Sequence, residues 1–137
     1  SFFENQPTII LFSFLLGKIC IGYGGLTYIN WKSKNAELSF ICDTKRFKKT
    51  GLYKKDFSAF LKLIKKLSFV YLKFVKLYTE TYDIRANHVK ILEDHEFVLT
   101  SSLIKNKLIQ GKKVDVLFHS LYNKQNIKNK ISKGVIK

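Results

Sequence analysis

Apolar residues first occur in two short runs. Residues 9–16 are rich in Ile, Leu and Phe, Gly17-Lys18 supplies a tight turn, and residues 19–31 resume with β-branched and aromatic side chains. That pattern predicts a β-hairpin. Gly22, Gly24 and Gly25 fall inside the second arm, where a missing side chain either simply bends the strand or permits a bulge or the close approach of another backbone or ligand. After a polar turn at Lys32-Ser33-Lys34-Asn35, residues 36–42 read as a third strand and residues 43–50 as a loop dense in Lys and Arg, ending at Gly51. The period then changes. Phe57, Phe60, Leu61, Ile64, Leu67 and Tyr71 recur at three- and four-residue spacing, which predicts an amphipathic helix carrying Lys54, Lys55, Lys62, Lys65 and Lys66 on its remaining surface. Residues 74–82 alternate, with Val75, Leu77, Thr79 and Thr81 on one side and Lys76, Tyr78, Glu80 and Tyr82 on the other. Residues 86–94 suit a short helix capped by Asp83, and residues 97–103 and 114–121 read as two closing strands around a turn at 106–113. The order is β-β-β-α-β-α-β-β, followed by a basic tail, 123–137. There Ile127, Ile131 and Val135, spaced four apart, fit a frayed end, a short surface helix or a partner-binding helix.

Length and composition narrow the function classes. A chain of 137 residues has room for one domain, and 46% hydrophobic with 26% charged residues excludes general disorder. A net charge of +15 suggests a polyanion partner, but of the 25 basic residues only Arg46 and Arg85 carry the guanidinium that nucleic-acid recognition favours. Abundant Lys, Asn, Ile, Phe and Tyr together form a bias that AT-rich coding produces, so nucleic acid is not the expected partner. Cys20 and Cys42 are too few for a disulfide framework, which fits a reducing cytoplasm. The most apolar stretch, residues 9–21, is interrupted by Gly17-Lys18 and falls short of the roughly 20 residues a membrane-crossing helix needs. With no Met in the chain, its start is expected to be processed, truncated or left out.

The usual constellations of enzyme chemistry are absent: no GxSxG elbow, no HExxH, no CxxC pair and no Gly-Lys-Ser/Thr phosphate loop. His88, His95 and His119 lack metal-ligand spacing, and no metal is expected. The strongest local feature is a strand, a basic loop, a glycine and a helix, running Lys45-Arg46-Phe47-Lys48-Lys49-Thr50-Gly51-Leu52-Tyr53. A helix start presents unpaired amides and the positive end of its dipole, so this stretch can hold a phosphate or pyrophosphate.

Taken in order and spacing to about Tyr122, the chain resembles the GNAT superfamily of acetyl-CoA-dependent N-acetyltransferases. Lys18-Ile19-Cys20-Ile21-Gly22-Tyr23-Gly24-Gly25-Leu26 is similar to the family's stretch after its first hairpin turn, and Ala36-Glu37-Leu38-Ser39-Phe40-Ile41 to its central strand. Lys48-Lys49-Thr50-Gly51-Leu52-Tyr53 keeps only the central glycine of the family's Gln/Arg-x-x-Gly-x-Gly/Ala loop. Ile91-Leu92-Glu93-Asp94-His95-Glu96-Phe97 resembles a Leu-Glu-Lys-x-Gly-Phe helix end in which Glu96 replaces glycine. Gly111-Lys112-Lys113-Val114-Asp115-Val116-Leu117 resembles the closing segment of amino-sugar and ribosomal-protein acetyltransferases.

The resemblance implies an α+β fold, a twisted mixed β-sheet flanked by helices that splays between its central strands. Residues 1–122 would be the acetyltransferase domain, with the family's first strand and helices lying ahead of Ser1. Acetyl-CoA would occupy the gap, with the backbone of Phe40, Ile41 and Cys42 pairing with pantetheine, the amides of Lys49 to Tyr53 (beside Lys48) cradling the pyrophosphate, and Arg85 reaching the cofactor. Glu37 is the implied general base. The family's tyrosine acid falls at Leu92 and is missing, and His88 falls where some relatives place a residue beside the leaving sulfur. Tyr23, Tyr28 and Trp31 are candidates to line the acceptor pocket. The acceptor expected is a small-molecule amine, preferentially a nucleotide-linked amino sugar of surface-glycan biosynthesis. The alternatives are a protein or ribosomal-protein amine, or a non-catalytic basic module for RNA, anionic lipid or an acidic partner. A homodimer completes the expected partners.

Overall fold

The computed structural model describes residues 5–83 and 85–124, with the side chains of residues 105–107 outside that description. Strand β1 (Ile10–Leu16) and strand β2 (Ile19–Asn30) pair antiparallel across Gly17, whose φ of 63° is left-handed. Strand β3 (Asn35–Cys42) adds to β2 with Gly24 opposite Phe40 and Leu26 opposite Leu38. Opposed residues share a face, so Ile10, Phe14, Gly24, Leu26, Leu38 and Phe40 all look toward the helices.

The glycines of β2 serve close approach. A Cβ on Gly24 would sit 2.7 Å from the Phe60 ring, and one on Gly25 would collide with the carbonyl oxygen of Ile10. Two register shifts flank these glycines: one leaves Ile21 as the extra residue between Cys20 and Gly22, and the other lies between Thr27 and Asn30, where Tyr28 takes a φ of 47°.

The expected loop after β3 contains a helical turn, α1 (Thr44–Phe47), because the Asp43 carboxylate accepts from the Lys45 N–H at 2.8 Å. Arg46 grips Asp56 through two hydrogen bonds, 2.6 and 2.9 Å, and ties α1 to helix α2 (Thr50–Lys65). The buried face of α2 is Tyr53, Phe57, Phe60, Leu61 and Ile64. The Phe40 ring stacks on Phe57 and Phe60 at centroid distances of 5.1 and 4.8 Å. Each such ring contributes about 2–3 kcal/mol by leaving water. Past Lys65 the helix widens into a π-helical turn (Lys66–Tyr71) that shifts the phase, so Tyr71, expected on the apolar face, is exposed and Ser68 is buried.

Strand β4 (Lys76–Tyr82) buries Leu77, Thr79 and Thr81 as the alternation predicts. Helix α3 (Ala86–Asp94) has its predicted bounds, but Asp83 does not cap it. The Asp83 carboxylate instead accepts from the N–H of Asp115 at 3.2 Å. Strands β5 (Val98–Ile109) and β6 (Lys112–Tyr122) run longer than expected, and the turn contracts to Gln110-Gly111. Both residues have positive φ, 50° and 80°, the geometry of a two-residue hairpin loop. Asn123, expected to open the tail, is buried and donates to the carbonyls of Phe69 and Phe74. The tail expected beyond it lies outside the described residues.

Among the described residues the strands form one six-stranded sheet in the order β1-β2-β3-β4-β6-β5. Neighbours run antiparallel except β3 and β4, which are parallel and pair only at Asn35–Lys76, Ala36–Leu77 and Glu37–Tyr78. Beyond Glu37 they part, as the resemblance implied.

Gly25→Ala should lose about 1–3 kcal/mol in urea unfolding, because β1 must shift to admit the methyl group. Wild-type stability would show that the β1–β2 spacing is set elsewhere.

Candidate active site

The parting of β3 and β4 opens a cavity of about 590 Å³ that passes through the sheet. Its lining includes Thr27, Tyr28, Glu37, Leu38, Phe40, Phe57, Thr79, Glu80, Thr81, Arg85 and His88. The Asp43 N–H bonds Ile21 on β2, so alternation also turns the backbone of Glu37, Ser39 and Ile41 toward β2. The N–H and C=O groups of Leu38, Phe40 and Cys42 therefore face the gap. This corrects the expectation for Ile41, whose backbone is engaged with Tyr23 on β2.

At the helix-facing side, α2 begins without a side-chain cap and without an acidic residue in its first turn. Its ladder starts with the Tyr53 N–H donating to the Lys49 carbonyl, while the N–H groups of Lys48 and Lys49 bond Thr44 and Arg46. The free amides are thus those of Thr50, Gly51 and Leu52, a narrower cradle than the expected Lys49 to Tyr53. Nothing lies within 4 Å of a Cβ built on Gly51, so the fold itself does not demand glycine there.

Tyr53 enters by its side chain. Arg85 donates from Nη2 to the Tyr53 hydroxyl at 3.2 Å, and that hydroxyl donates to His88 Nδ1 at 2.5 Å. Burial pushes the Tyr53 phenol up to about 12, against the opposing pull of Arg85. His88, 7% exposed, stacks on Phe57 at 4.3 Å. Burial, followed by the positive charge of Arg85, pushes its imidazole down to about 3. His88 is therefore a neutral ring that accepts at Nδ1 near neutral pH, a poor source of protons for a leaving thiolate. The Arg85 guanidinium lies 5.6 Å from the Phe47 ring, between the α2 start and the cavity.

The opposite face is acidic. Glu37 and Glu80 project with Tyr78 from the two diverging strands, and burial, then the charge of Glu80, raises the Glu37 carboxyl. Burial, then Glu37, raises Tyr78 as well. The left-handed Tyr28 at the β2 bulge brings its ring to the cavity wall, as bulges beside binding clefts do. The other two candidate acceptor residues lie elsewhere. Trp31 packs edge-on against Phe74 at 5.2 Å and donates to the Pro7 carbonyl at 2.6 Å, so it is part of the core boundary. Tyr23 lies beside Cys20, Ile41 and Cys42 in a separate surface depression. Sequence reasoning did not single out Glu80, Thr79 or Thr81 for the site. The β3–β4 pairing that brings them there is a long-range feature, although their alternation on β4 was visible.

Solved structures with the same architecture include several of the spermidine N-acetyltransferase SpeG from Vibrio cholerae. One mutant form superposes with a TM-score of 0.70 at 22% identity, covering 87% of this chain and 68% of that one. The chain has the GNAT fold. A further mutant structure gives 0.67 at 22% identity, covering 82% of this chain, which spans 62% of the length of that one. The same enzyme in a dodecameric structure gives 0.66 at 23%, covering 82% and 63%. No protein-family model and no curated protein matches the sequence. Within this GNAT fold no helix among the described residues is long and apolar enough to cross a membrane. Among those residues no group of three or more His, Cys, Asp or Glu could hold a metal ion.

The burial of neutral His88 predicts a pH effect on stability. Between about 3 and the ordinary 6.5 the unfolded chain binds a proton that the folded chain excludes, so this contribution falls as pH drops through that window. His88→Gln should therefore be less stable than wild type at pH 7, and the deficit should shrink toward pH 4. A deficit that stays constant would mean that His88 takes up its proton as readily in the fold as in the unfolded chain.

Proposed function

We propose that the protein is an acetyl-CoA-dependent N-acetyltransferase acting on a small cationic amine. The observation that carries this reading is the unpaired β3 edge at Leu38, Phe40 and Cys42, which leads through α1 to the uncapped start of α2. A pantetheine chain carries amides that can add to such an edge, and a pyrophosphate suits the free amides of Thr50, Gly51 and Leu52 beside Lys48, Lys49 and Arg85. These residues fit the group in charge and in hydrogen-bonding sense.

Glu37 takes the role of general base. Its raised carboxyl is matched to removing a proton from an ammonium group at the acidic face, directly or through water. The freed nitrogen attacks the thioester carbonyl, a C–N bond forms, the C–S bond breaks and the electron pair leaves on sulfur. Glu80 adds a second negative charge that favours a cationic acceptor in a protein of net charge +15. That pair supports a compact alkylamine such as the spermidine of the SpeG enzymes over a nucleotide-linked amino sugar, whose phosphates it would repel. A protein amine remains the third class of acceptor to be compared.

Free-thiol release measured with acetyl-CoA and spermidine, a nucleotide-linked amino sugar and a peptide α-amine should be fastest with spermidine. Absence of release with every amine would overturn the reading.

Glu37→Gln should leave the melting temperature and acetyl-CoA affinity near wild type while lowering turnover by roughly 10²–10⁴-fold. The wild-type rate should rise with pH as the Glu37 carboxyl ionises, and the variant's deficit should narrow as more of the amine is neutral unaided. A wild-type rate across the pH range would remove Glu37 from the reaction. For the cofactor end, Gly51→Glu should keep the fold, since the added side chain meets open space. It should abolish acetyl-CoA binding by calorimetry through bulk and like charge. Retained affinity would move the anion site away from α2.

A further inference from the structure

The leaving thiolate lacks an obvious acid. Leu92 occupies the position of the expected tyrosine and is fully buried among apolar side chains, and His88 is a neutral acceptor. Two polar atoms beside the cavity have no assigned work. Thr79 on β4 and His119 on β6 are directly opposed in the antiparallel register, so their side chains share the helix-facing side of the sheet. Thr79 lines the cavity. The Thr79 Oγ1 and the His119 Nδ1 are both buried, and neither has a hydrogen-bond partner among the described residues. His119 is 0% exposed. Its other nitrogen, Nε2, meets the Glu93 carboxylate at 3.0 Å, and the Glu93 side chain is 51% exposed at the end of α3.

Two orphaned buried polar atoms on facing strands need a partner, and an ordered water between them is the usual one. The chain of groups then runs from the cavity through Thr79 and water to His119, with Glu93 behind it.

We infer that Thr79 and His119 form a proton relay to the leaving thiolate, with Glu93 holding the His119 ring in place. The inference rests on the acetyl-transfer reading. As the C–S bond breaks, the sulfur takes a proton from the Thr79 hydroxyl or its water, which takes one from Nδ1 of the His119 imidazolium. His119 returns to the neutral ring, the Glu93 carboxylate holding its Nε2 proton throughout, and Nδ1 is recharged from the cavity through the same water and Thr79 once the thiol has left. Two protons leave the acceptor nitrogen through Glu37 and one enters the sulfur, so one proton per turnover reaches solvent. Thr79 is the group that meets the reacting atoms. His119 and Glu93 act through it.

The test combines a structure with kinetics. A high-resolution crystal structure should show one ordered water within hydrogen-bond reach of Thr79 Oγ1 and His119 Nδ1. Thr79→Val should lower kcat by roughly 10²-fold with unchanged KM for acetyl-CoA, and Thr79→Ser, which keeps the hydroxyl, should restore it. Glu93→Gln, on a half-exposed side chain that leaves the core intact, should lower kcat in the same way. In the Thr79→Val protein the ¹⁵N resonance of His119 Nδ1 should shift, whether or not substrate is present. Wild-type kcat in both Thr79→Val and Glu93→Gln, or a His119 Nδ1 bonded to a group other than that water, would overturn the relay. Wild-type protein that releases no thiol would instead overturn the acetyl-transfer reading, and with it the use of the relay, whatever the water does.

Discussion

Everything at the site depends on a parallel pairing that stops after three residues. Had β3 and β4 continued past Glu37 and Tyr78, their inner edges would have consumed each other's hydrogen bonds and closed the sheet. Instead the Phe40 ring is drawn toward α2 by its stacking on Phe57 and Phe60, while β4 stays with β6 through seven paired positions. The aromatic contacts offset the lost ladder. The resulting edge carries backbone donors and acceptors that a strand-like ligand can satisfy, and an unsatisfied edge is costly enough to make such a ligand a good fit.

That wedge has requirements in the neighbouring strand. Phe60 reaches the sheet only because Gly24 has no side chain, and β1 lies against β2 only because Gly25 has none. The bulge at Tyr28 then completes the turn of β2 and brings an aromatic ring to the cavity wall. Glycines and bulge sit within one strand but do different work, the first closing the sheet and the second lining the site.

Local signals were legible and long-range ones were not. The hairpin at Gly17, the alternation of β4 and both bounds of α3 follow from period and turn chemistry, and the structure has them. The β5–β6 turn was misplaced because the polar residues 106–113 look like loop, whereas Gln110 and Gly111 take the positive φ that a tight hairpin needs. Aromatic character alone did not distinguish roles. Tyr28 lines the cavity, Trp31 is held by Phe74 and Pro7, and Tyr23 faces a different depression. Glu37 was reached by its place on the central strand, but the partner that raises it, Glu80, lies on a strand 43 positions later in the chain, joined only by the β3–β4 register.

Charge is distributed to match this division. Lysines dominate the chain, Lys48 and Lys49 lead into the α2 start, where the helix dipole has the same sign, and Arg85 lines the cavity. On the far side of the same opening Glu37 and Glu80 reverse the field within the thickness of one sheet. An anionic donor and a cationic acceptor entering from opposite faces would each meet an attractive potential, and each would be repelled from the other's side. On the acetyl-transfer reading proposed above, the splayed strands would fix the direction of approach as well as the place where donor and acceptor meet.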